Sequence, residues 1–173
     1  MRLFIGLWPD DAAVHELSAW AHDAQALCGG RIMQPQDMHL TLAFLGHADA
    51  DQQDALIRAV ADWPVRLQPF HLERFGMFDR ARIVWAGPGE NNPVIWLHAL
   101  YDTLWNRLKD MGWHRNYSTF TPHISLLRSA GSCDLTVLQR EPVPCRPQRC
   151  ALVGSRPDGR RSNYQVLAHL PVI

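Results

Sequence analysis

The segments HLTLAF (residues 39–44) and HISLL (residues 123–127) repeat one pattern, a histidine followed two positions later by a residue with a small hydroxyl side chain. Apolar residues lie between the polar ones, an alternation that is typical of a β-strand. The two segments lie about half a chain length apart in a sequence of 173 residues. This spacing suggests that the chain contains two related halves.

The elements predicted around the first strand follow from apolar spacing and cap residues. Apolar side chains at three- and four-residue steps predict a helix over about residues 10–28, before the strand. After the strand, a second helix is expected to start with Asp49 or Asp51 as its N-cap. Two strands should then follow, in the segments LQPFHLERF and RIVWAG.

The second half predicts the same order of elements. A helix capped by Asn92, with Pro93 in its first turn, should end at Gly112. The HISLLR strand comes next, and then a short helical stretch and two strands, in the segments DLTVLQR, CRPQRCALVGS and YQVLAHL. The repeated order predicts one domain, residues 1–173, with two related lobes over roughly residues 10–88 and 93–171.

Composition and charge fit a single globular domain. Hydrophobic residues make up 47% of the chain, and 17 basic residues balance 17 acidic ones. A net charge of zero does not favour adhesion to nucleic acid through bulk charge. Residues 140–173 nevertheless hold six arginines against two acids. That end of the chain could attract an anionic ligand, although a solvated arginine-rich surface explains such a run equally well.

The cysteines and the apolar runs bear on location. No Cys-x-x-Cys pair occurs, and the N-terminus lacks the apolar stretch of a signal peptide. We therefore expect reduced thiols and a cytoplasmic protein. No apolar run approaches the roughly 20 residues that span a bilayer, so no membrane contact is expected. The cysteines are Cys28, Cys133, Cys145 and Cys150.

Strand geometry assigns the polar residues of the two segments to one face. Positions i and i+2 of a strand point the same way, so His39 should share a face with Thr41, and His123 with Ser125. If the two halves meet about a pseudo-twofold axis, both faces line one cleft. The apolar residues should take the opposite face: Leu40, Leu42, Phe44, Ile124 and Leu126.

Two imidazoles and two hydroxyls in one cleft suit the chemistry of a phosphate diester. One imidazole can remove a proton from water while the other protonates the leaving oxygen, and the hydroxyls can donate to the non-bridging oxygens. With an unperturbed pKa of about 6.5, each imidazole can play either part near neutral pH. This chemistry needs neither a metal nor a cofactor.

Two other interpretations compete with catalysis. A single His-x-Thr on a strand is most often structural, but two copies at matching places in two half-chains are a much stronger signal. Two histidines could also bind a metal. A catalytic zinc usually takes a third protein ligand, and neither segment contains an acid or a cysteine, which makes the metal site the weaker hypothesis.

Five segments resemble, in order, the bacterial and archaeal 2'-5' RNA ligase family, also called RNA 2',3'-cyclic phosphodiesterases, of the 2H phosphoesterase superfamily. They are RLFIGLWP, PQDMHLTLAFLGH, ERFGMFDRARIVWAG, FTPHISLLR and SRPDGRRSNYQVL. The resemblance implies a bilobal α+β fold, with antiparallel sheets lining a central cleft and helices outside. It also implies hydrolysis of RNA 2',3'-cyclic phosphate ends to 2'-phosphates, with 2'-5' ligation as the reverse reaction.

The resemblance also implies roles for individual residues. His39 is similar in position to the family's general acid, and His123 to its general base. Thr41 and Ser125 match the phosphate-binding hydroxyls, with Ser125 in place of the more common threonine. Arg128 occupies a position that the family associates with the phosphate. The implied substrates are RNA ends, single-stranded or derived from tRNA, for a monomer with no evident protein partner.

Four aromatic or basic side chains have two possible roles each. Strict alternation from His123 directs Arg128 away from the cleft, unless the strand ends or bulges after Leu127. Phe4 could stack on a nucleobase, although a core position is the more frequent one for phenylalanine. Tyr164 and Arg160 are family-like, and packing within a hairpin is their alternative role.

Other activities remain compatible with the sequence. The same site could hydrolyse another small cyclic phosphate or a 2'-5' linked oligonucleotide, because the cleft rim selects the substrate. A non-catalytic module that binds RNA ends is a third hypothesis. Binding alone does not require two proton carriers, and this argues against such a module.

Overall fold

The computed structural model describes residues 1–116, 119–159 and 161–173. These ranges contain three α-helices: α1 (Asp11–Cys28), α2 (Ala50–Val60) and α3 (Ile95–Asp110). They also contain ten strands: β1 (Arg2–Trp8), β2 (Arg31–Ile32), β3 (Leu40–His47), β4 (Phe70–Leu72), β5 (Arg74–Phe78), β6 (Ile83–Gly87), β7 (Ile124–Arg128), β8 (Val143–Cys145), β9 (Arg149–Asp158) and β10 (Arg161–Leu170). The α+β class implied by the resemblance is confirmed.

One antiparallel sheet organises the molecule. Its strand order is β10-β9-β1-β3-β7-β6-β5, with β2 paired to β7. The two histidine segments, which end up in β3 and β7, are neighbours at the centre of this sheet, joined through the pair Leu40 and Ile124. Strands β4 and β8 form a separate two-stranded sheet.

The two half-chains exchange strands in this sheet. Strands β9 and β10 from the second half extend the side that carries β1 and β3, whereas β5 and β6 from the first half extend the side that carries β7. Each side of the sheet therefore draws on both half-chains. The lobe boundaries at roughly 10–88 and 93–171 stay a prediction.

The helices cover the sheet and supply much of the core. Helix α1 packs against β7, and α3 packs against β3. Trp20 of α1 is buried, and Trp105 of α3 is buried with its indole N–H donating to the Leu42 carbonyl at 3.2 Å. Each large apolar side chain buried in this way contributes about 1.5–3 kcal/mol. In the described residues, no helix combines the length and apolarity that crossing a bilayer requires.

The helix starts test the predicted caps. Asp49 is the N-cap of α2, where its carboxylate accepts from the Gln52 N–H at 2.8 Å and its own N–H donates to Gln52 Oε1 at 3.1 Å. This reciprocal capping box satisfies two N–H groups that the helix itself leaves unpaired. The prediction that named Asp49 is confirmed.

The predicted start of α3 is wrong by two residues. The helix begins at Ile95 with Val94 as N-cap, so Asn92 and Pro93 precede it. Asn92 instead donates its backbone N–H to the Gly89 carbonyl at 3.1 Å, which makes it part of a turn. The short helical stretch expected near residue 135 is a 3₁₀ turn, Leu135–Val137.

The expectation of reduced thiols is wrong for one pair. Cys28 and Cys133, 105 residues apart in sequence, form a disulfide. Cys28 ends α1, and the Gly131 N–H donates to its carbonyl at 2.8 Å, so the chain after β7 lies against the helix end. Fold topology creates this proximity, and short-range spacing cannot reveal it. Cys145 and Cys150 are free and buried, and burial raises the pKa of each thiol to about 12.

We predict that reducing the disulfide destabilises the protein. A cross-link over a long loop restricts the unfolded chain, so reduction should lower the free energy of unfolding by about 2–4 kcal/mol. The measurement is urea unfolding with and without a reducing agent. Cys133→Ser is the matched control, since its stability should not respond to the reductant. Equal sensitivity in both proteins would contradict the assigned pair.

Candidate active site

The central strands bring the predicted site residues to one cavity. His39, immediately before β3, and His123, immediately before β7, line a cavity of about 520 Å³. Thr41, Ser125 and Arg128 line the same cavity. All five side chains proposed from the sequence are therefore brought together.

A larger cavity of about 1070 Å³ lies elsewhere, beside α1. Its lining includes Glu16, Asp23 and Arg140, and none of the five predicted residues. Arg140 is already paired with Asp23 there. The smaller cavity is the better candidate, because it gathers two imidazoles, two hydroxyls and a guanidinium.

Hydrogen bonds fix which nitrogen of His39 faces the cavity. The ring Nδ1 lies 2.7 Å from the carbonyl oxygen of Asp37, in the 3₁₀ turn Pro35–Asp37 that precedes β3. A carbonyl can only accept, so Nδ1 carries a proton and donates it. The other nitrogen, Nε2, lies 3.1 Å from Thr41 Oγ1. In the neutral ring, the Thr41 hydroxyl therefore donates to Nε2.

The His39 ring packs against two aromatic side chains of β1. It stacks on Phe4 at 4.8 Å and on Trp8 at 5.2 Å between ring centroids, with interplanar angles of 23° in both pairs. Gly6 lies between them on the same face of the strand, and a Cβ there would come within 3.3 Å of His39 Cδ2. Glycine thus leaves the space in which the imidazole sits.

His123 is oriented by the same kind of backbone contact but in different surroundings. Its Nδ1 lies 2.7 Å from the Thr121 carbonyl oxygen, so Nε2 is again the nitrogen that the backbone contact leaves available. Phe78 presents an edge-to-face contact at 4.8 Å and 87°, and Trp85 lies 5.9 Å away. Each histidine therefore donates from Nδ1 to the carbonyl two residues earlier.

Burial changes the acidity of both imidazoles. The pKa of His39 is lowered to about 4, mainly by burial, with smaller contributions from the positive charges of Arg128 and His123, while the hydrogen bond to the Asp37 carbonyl acts in the opposite direction. Burial also lowers the pKa of His123, which the Thr121 carbonyl partly offsets. The expected value of about 6.5 is therefore wrong for the ligand-free protein. His39 is neutral there at neutral pH.

A bulge in β7 brings Arg128 to the cavity. Leu127 pairs with Val84 and Ser125 with Trp85, so two steps along β7 match a single step along β6. The extra residue reverses the alternation that follows it. This irregularity comes one residue earlier than the bulge expected after Leu127, and Arg128 lines the cavity as a result.

A second bulge corrects the predicted face of Phe44. Thr41 pairs with Gly6 and Ala43 with Ile5, so β3 also gains an extra residue before Phe44. Phe44 was expected on the core face with Leu40 and Leu42, but it is 40% exposed and lines the cavity. Alternation fails here because the bulge reverses the faces of the strand.

Several aromatic residues of the cavity were not predicted. Phe78, Tyr101 and Phe120 line it, and Tyr101 stacks on Phe120 at 4.0 Å with an interplanar angle of 5°. A signal for Tyr101 exists in the sequence, because it lies four residues after Leu97 on the apolar face of α3. No local pattern places Phe120, which precedes β7 without belonging to an element.

The remaining candidates have structural contacts. Phe4 is buried and stacks on His39, as expected for a core residue rather than a nucleobase platform. Tyr164 of β10 meets the His39 ring edge-to-face at 5.5 Å, and burial raises the pKa of its hydroxyl. Arg160 lies outside the described residues.

Sequence comparison finds proteins that are similar to this chain. The LigT-like phosphoesterase model matches residues 7–85. An RNA 2',3'-cyclic phosphodiesterase from Archaeoglobus fulgidus is 26% identical over 133 residues, which cover 74% of this chain and 72% of the relative. A protein of the same name from Escherichia coli K12 is 34% identical over 103 residues, covering 58% and 56%.

Solved structures extend the similarity to nearly the whole chain. E. coli LigT complexed with 3'-AMP matches with a TM-score of 0.78 and 25% identity, covering 97% of this chain and 95% of that one. TT0787 from Thermus thermophilus matches with a TM-score of 0.71 and 23% identity, covering 98% and 97%. The second likeness bears on the fold alone.

We predict that His39 titrates far below the usual range and that an anion reverses this. Histidine-ring NMR should find a proton on Nδ1 and a pKa near 4 in the ligand-free protein. Arg128→Gln should raise this pKa by removing a nearby positive charge, and bound inorganic phosphate should raise it by adding a negative one. Arg58→Gln on the exposed face of α2 is the control. A ligand-free pKa near 6.5 would contradict the burial argument.

Proposed function

We propose that this chain belongs to the LigT-like phosphoesterase family and hydrolyses the 2',3'-cyclic phosphate at RNA ends to a 2'-phosphate. The observation that carries the proposal is the pair of histidines in one cavity, each with Nδ1 bound to a backbone carbonyl. This arrangement leaves two Nε2 atoms for proton transfer. Two hydroxyls and a guanidinium beside them suit an anionic phosphodiester.

In the proposed reaction, His123 acts as the base. Its Nε2 removes a proton from water, whose oxygen attacks phosphorus on the side opposite the 3'-oxygen. As the new P–O bond forms, the bond from phosphorus to the 3'-oxygen breaks. His39 donates the proton on its Nε2 to that leaving oxygen. The products are a 2'-phosphomonoester and a free 3'-hydroxyl, and proton exchange with solvent restores both rings.

The acid role of His39 requires a proton that the ligand-free site disfavours. The phosphodiester brings a negative charge next to His39 and offsets the charge of Arg128, one of the causes of the low pKa. Substrate binding therefore favours the imidazolium on which the reaction depends. Protonation also releases the Thr41 hydroxyl, since Nε2–H no longer accepts from it.

Three side chains are proposed to hold the phosphate. The hydroxyls of Thr41 and Ser125 lie on the cavity face of the histidine strands, and the released Thr41 hydroxyl can donate to a non-bridging oxygen. Arg128 contributes a charge that is always present. Donors placed in advance stabilise the charge that grows on these oxygens in the transition state.

The aromatic residues of the cavity are proposed to receive the terminal nucleoside. Phe44, Phe78 and Phe120 line the cavity, and none of the described residues that line it carries a carboxylate. Flat aromatic rings accept nucleobases with little sequence preference. Such a lining suits RNA ends of varied sequence.

Several properties of the protein remain predictions. We propose that catalysis needs neither metal nor cofactor, and within the described residues no three His, Cys, Asp or Glu side chains group as metal ligands would. The Cys28–Cys133 disulfide removes the cysteine argument for a cytoplasmic location, which now depends on RNA as the substrate. The monomeric state and the absence of a protein partner are proposed on the sequence alone.

A single assay tests the proposed reaction. Purified protein with EDTA should convert an oligoribonucleotide with a 2',3'-cyclic phosphate into one with a 2'-phosphate, identified by its resistance to 3'-specific phosphatase. A 2'-5' linked oligonucleotide and a 3',5'-cyclic nucleotide should react more slowly. Loss of turnover in EDTA with recovery on adding one divalent ion would favour a metal site. Binding without turnover would favour the non-catalytic module.

Substrates with different leaving groups should distinguish the roles of the two histidines. His39→Ala and His123→Ala should each lower kcat by about 10²- to 10⁴-fold. A nitrophenyl phosphodiester, whose leaving group needs no proton, should partly rescue His39→Ala and leave His123→Ala inactive. His71→Ala, which alters an exposed histidine of β4, is the matched control. Rescue of the opposite variant would exchange the assignments, and small equal losses would make both histidines structural.

A further inference from the structure

We propose that a second phosphate subsite lies beside the catalytic cavity and binds the phosphate on the 5'-oxygen of the terminal nucleoside. The proposal rests on the proposed RNA-end hydrolysis and deepens it. The subsite consists of the guanidinium groups of Arg31 and Arg161, next to Arg128. It would make the enzyme prefer an RNA end to an isolated nucleoside cyclic phosphate.

Three strands bring the arginines together around a small second cavity. Arg31 of β2, Arg128 of β7 and Arg161 of β10 all line it, with Asp37 and Tyr164. Arg31 pairs directly with Arg128 across the antiparallel strands. Residues from three separate parts of the sequence therefore converge on one point of the surface.

Positive charge is in excess at this point of the surface and favours the binding of an anion. Three guanidinium groups meet one lining carboxylate, Asp37. Among the described residues, the ion pairs within 4.0 Å involve Arg74, Arg115 and Arg140, and none of the three arginines here. Like charges directly opposite each other on paired strands destabilise a sheet. A bound anion would remove that cost for Arg31 and Arg128.

The second cavity adjoins the catalytic one through shared residues. Arg128 lines both cavities. Tyr164 touches the edge of the His39 ring, and the Asp37 carbonyl accepts the hydrogen bond from His39 Nδ1. An anion held by Arg31 and Arg161 would therefore be a close neighbour of the reacting phosphate.

The chemistry of an RNA end identifies which anion this is. A 2',3'-cyclic phosphate uses both ribose hydroxyls, so the rest of the strand is attached through the 5'-oxygen. The next phosphate along the strand is the one on that oxygen. Guanidinium groups bind phosphate through paired N–H donors, and they do so without reading the base. This subsite would thus recognise any RNA strand that continues from the cleft.

A substrate series tests the subsite. Adenosine 2',3'-cyclic phosphate is compared with the same compound carrying a 5'-phosphate and with the dinucleotide that ends in it. The wild type should show a higher kcat/KM for the two compounds with a phosphate on the 5'-oxygen. Arg31→Gln and Arg161→Gln should each reduce that advantage by about 10-fold, mostly through KM. Both should keep wild-type turnover of the simple nucleoside compound.

Controls separate this proposal from the proposed reaction. Arg58→Gln makes the same charge change on α2 and should preserve the advantage. Equal losses on all three substrates in the Arg31 and Arg161 variants would overturn the subsite and make these arginines part of the catalytic cavity. An unchanged advantage in both variants would also overturn it.

A binding measurement keeps the test valid even without turnover. If the wild type hydrolyses none of the substrates, the proposed function fails while the subsite remains testable. Calorimetry then compares adenosine 2'-phosphate with adenosine 2',5'-bisphosphate. Tighter binding of the bisphosphate that is lost in Arg161→Gln would support the subsite, and equal binding of both compounds by the wild type would refute it.

Discussion

The antiparallel contact between β3 and β7 determines the geometry of the site. It is short, with Leu40 and Ile124 as the paired residues, and its antiparallel register places His39 and His123, which immediately precede them, diagonally across the two strands. Each strand is supported from behind by a helix that comes from the other half of the sequence, α3 against β3 and α1 against β7. The distance between the two Nε2 atoms thus depends on long-range packing, which a rigid core maintains.

Burial of this contact sets the electrostatic conditions for the proposed chemistry. The aromatic residues that orient His39 also exclude water from it, and desolvation disfavours the imidazolium. The backbone carbonyl of Asp37 fixes the tautomer without supplying a full negative charge. The ligand-free site is therefore short of negative charge, and an anionic substrate provides what the protein lacks. The buried surroundings of His39 therefore both orient its ring and make the site selective for an anion.

Local patterns in the sequence predicted the elements and the histidine faces, but not the changes of face within strands. Period-two alternation correctly put Thr41 with His39 and Ser125 with His123, because no bulge separates these residues. It failed for Phe44, which a bulge in β3 turns to the cavity. For Arg128 it predicted the cavity only if the strand bulged after Leu127, and the observed bulge lies one residue earlier. Bulges depend on the partner strand, as the Cys28–Cys133 disulfide depends on the topology. Neither partner is visible in a local window of sequence.

The two halves of the site are related but not equivalent, and the difference begins with one position on each neighbouring strand. Gly6 pairs with Thr41, whereas Trp85 pairs with Ser125. The glycine leaves space for the His39 ring to stack on Phe4 and Trp8. Trp85 instead lies 5.9 Å from the His123 ring, whose closer aromatic contact is the edge-to-face one with Phe78. Two imidazoles in identical surroundings would have equal proton affinities. Acid–base catalysis requires one to hold a proton while the other accepts one. Because burial disfavours the proton on His39, the proposed acid, the negative charge of the substrate has to provide that difference.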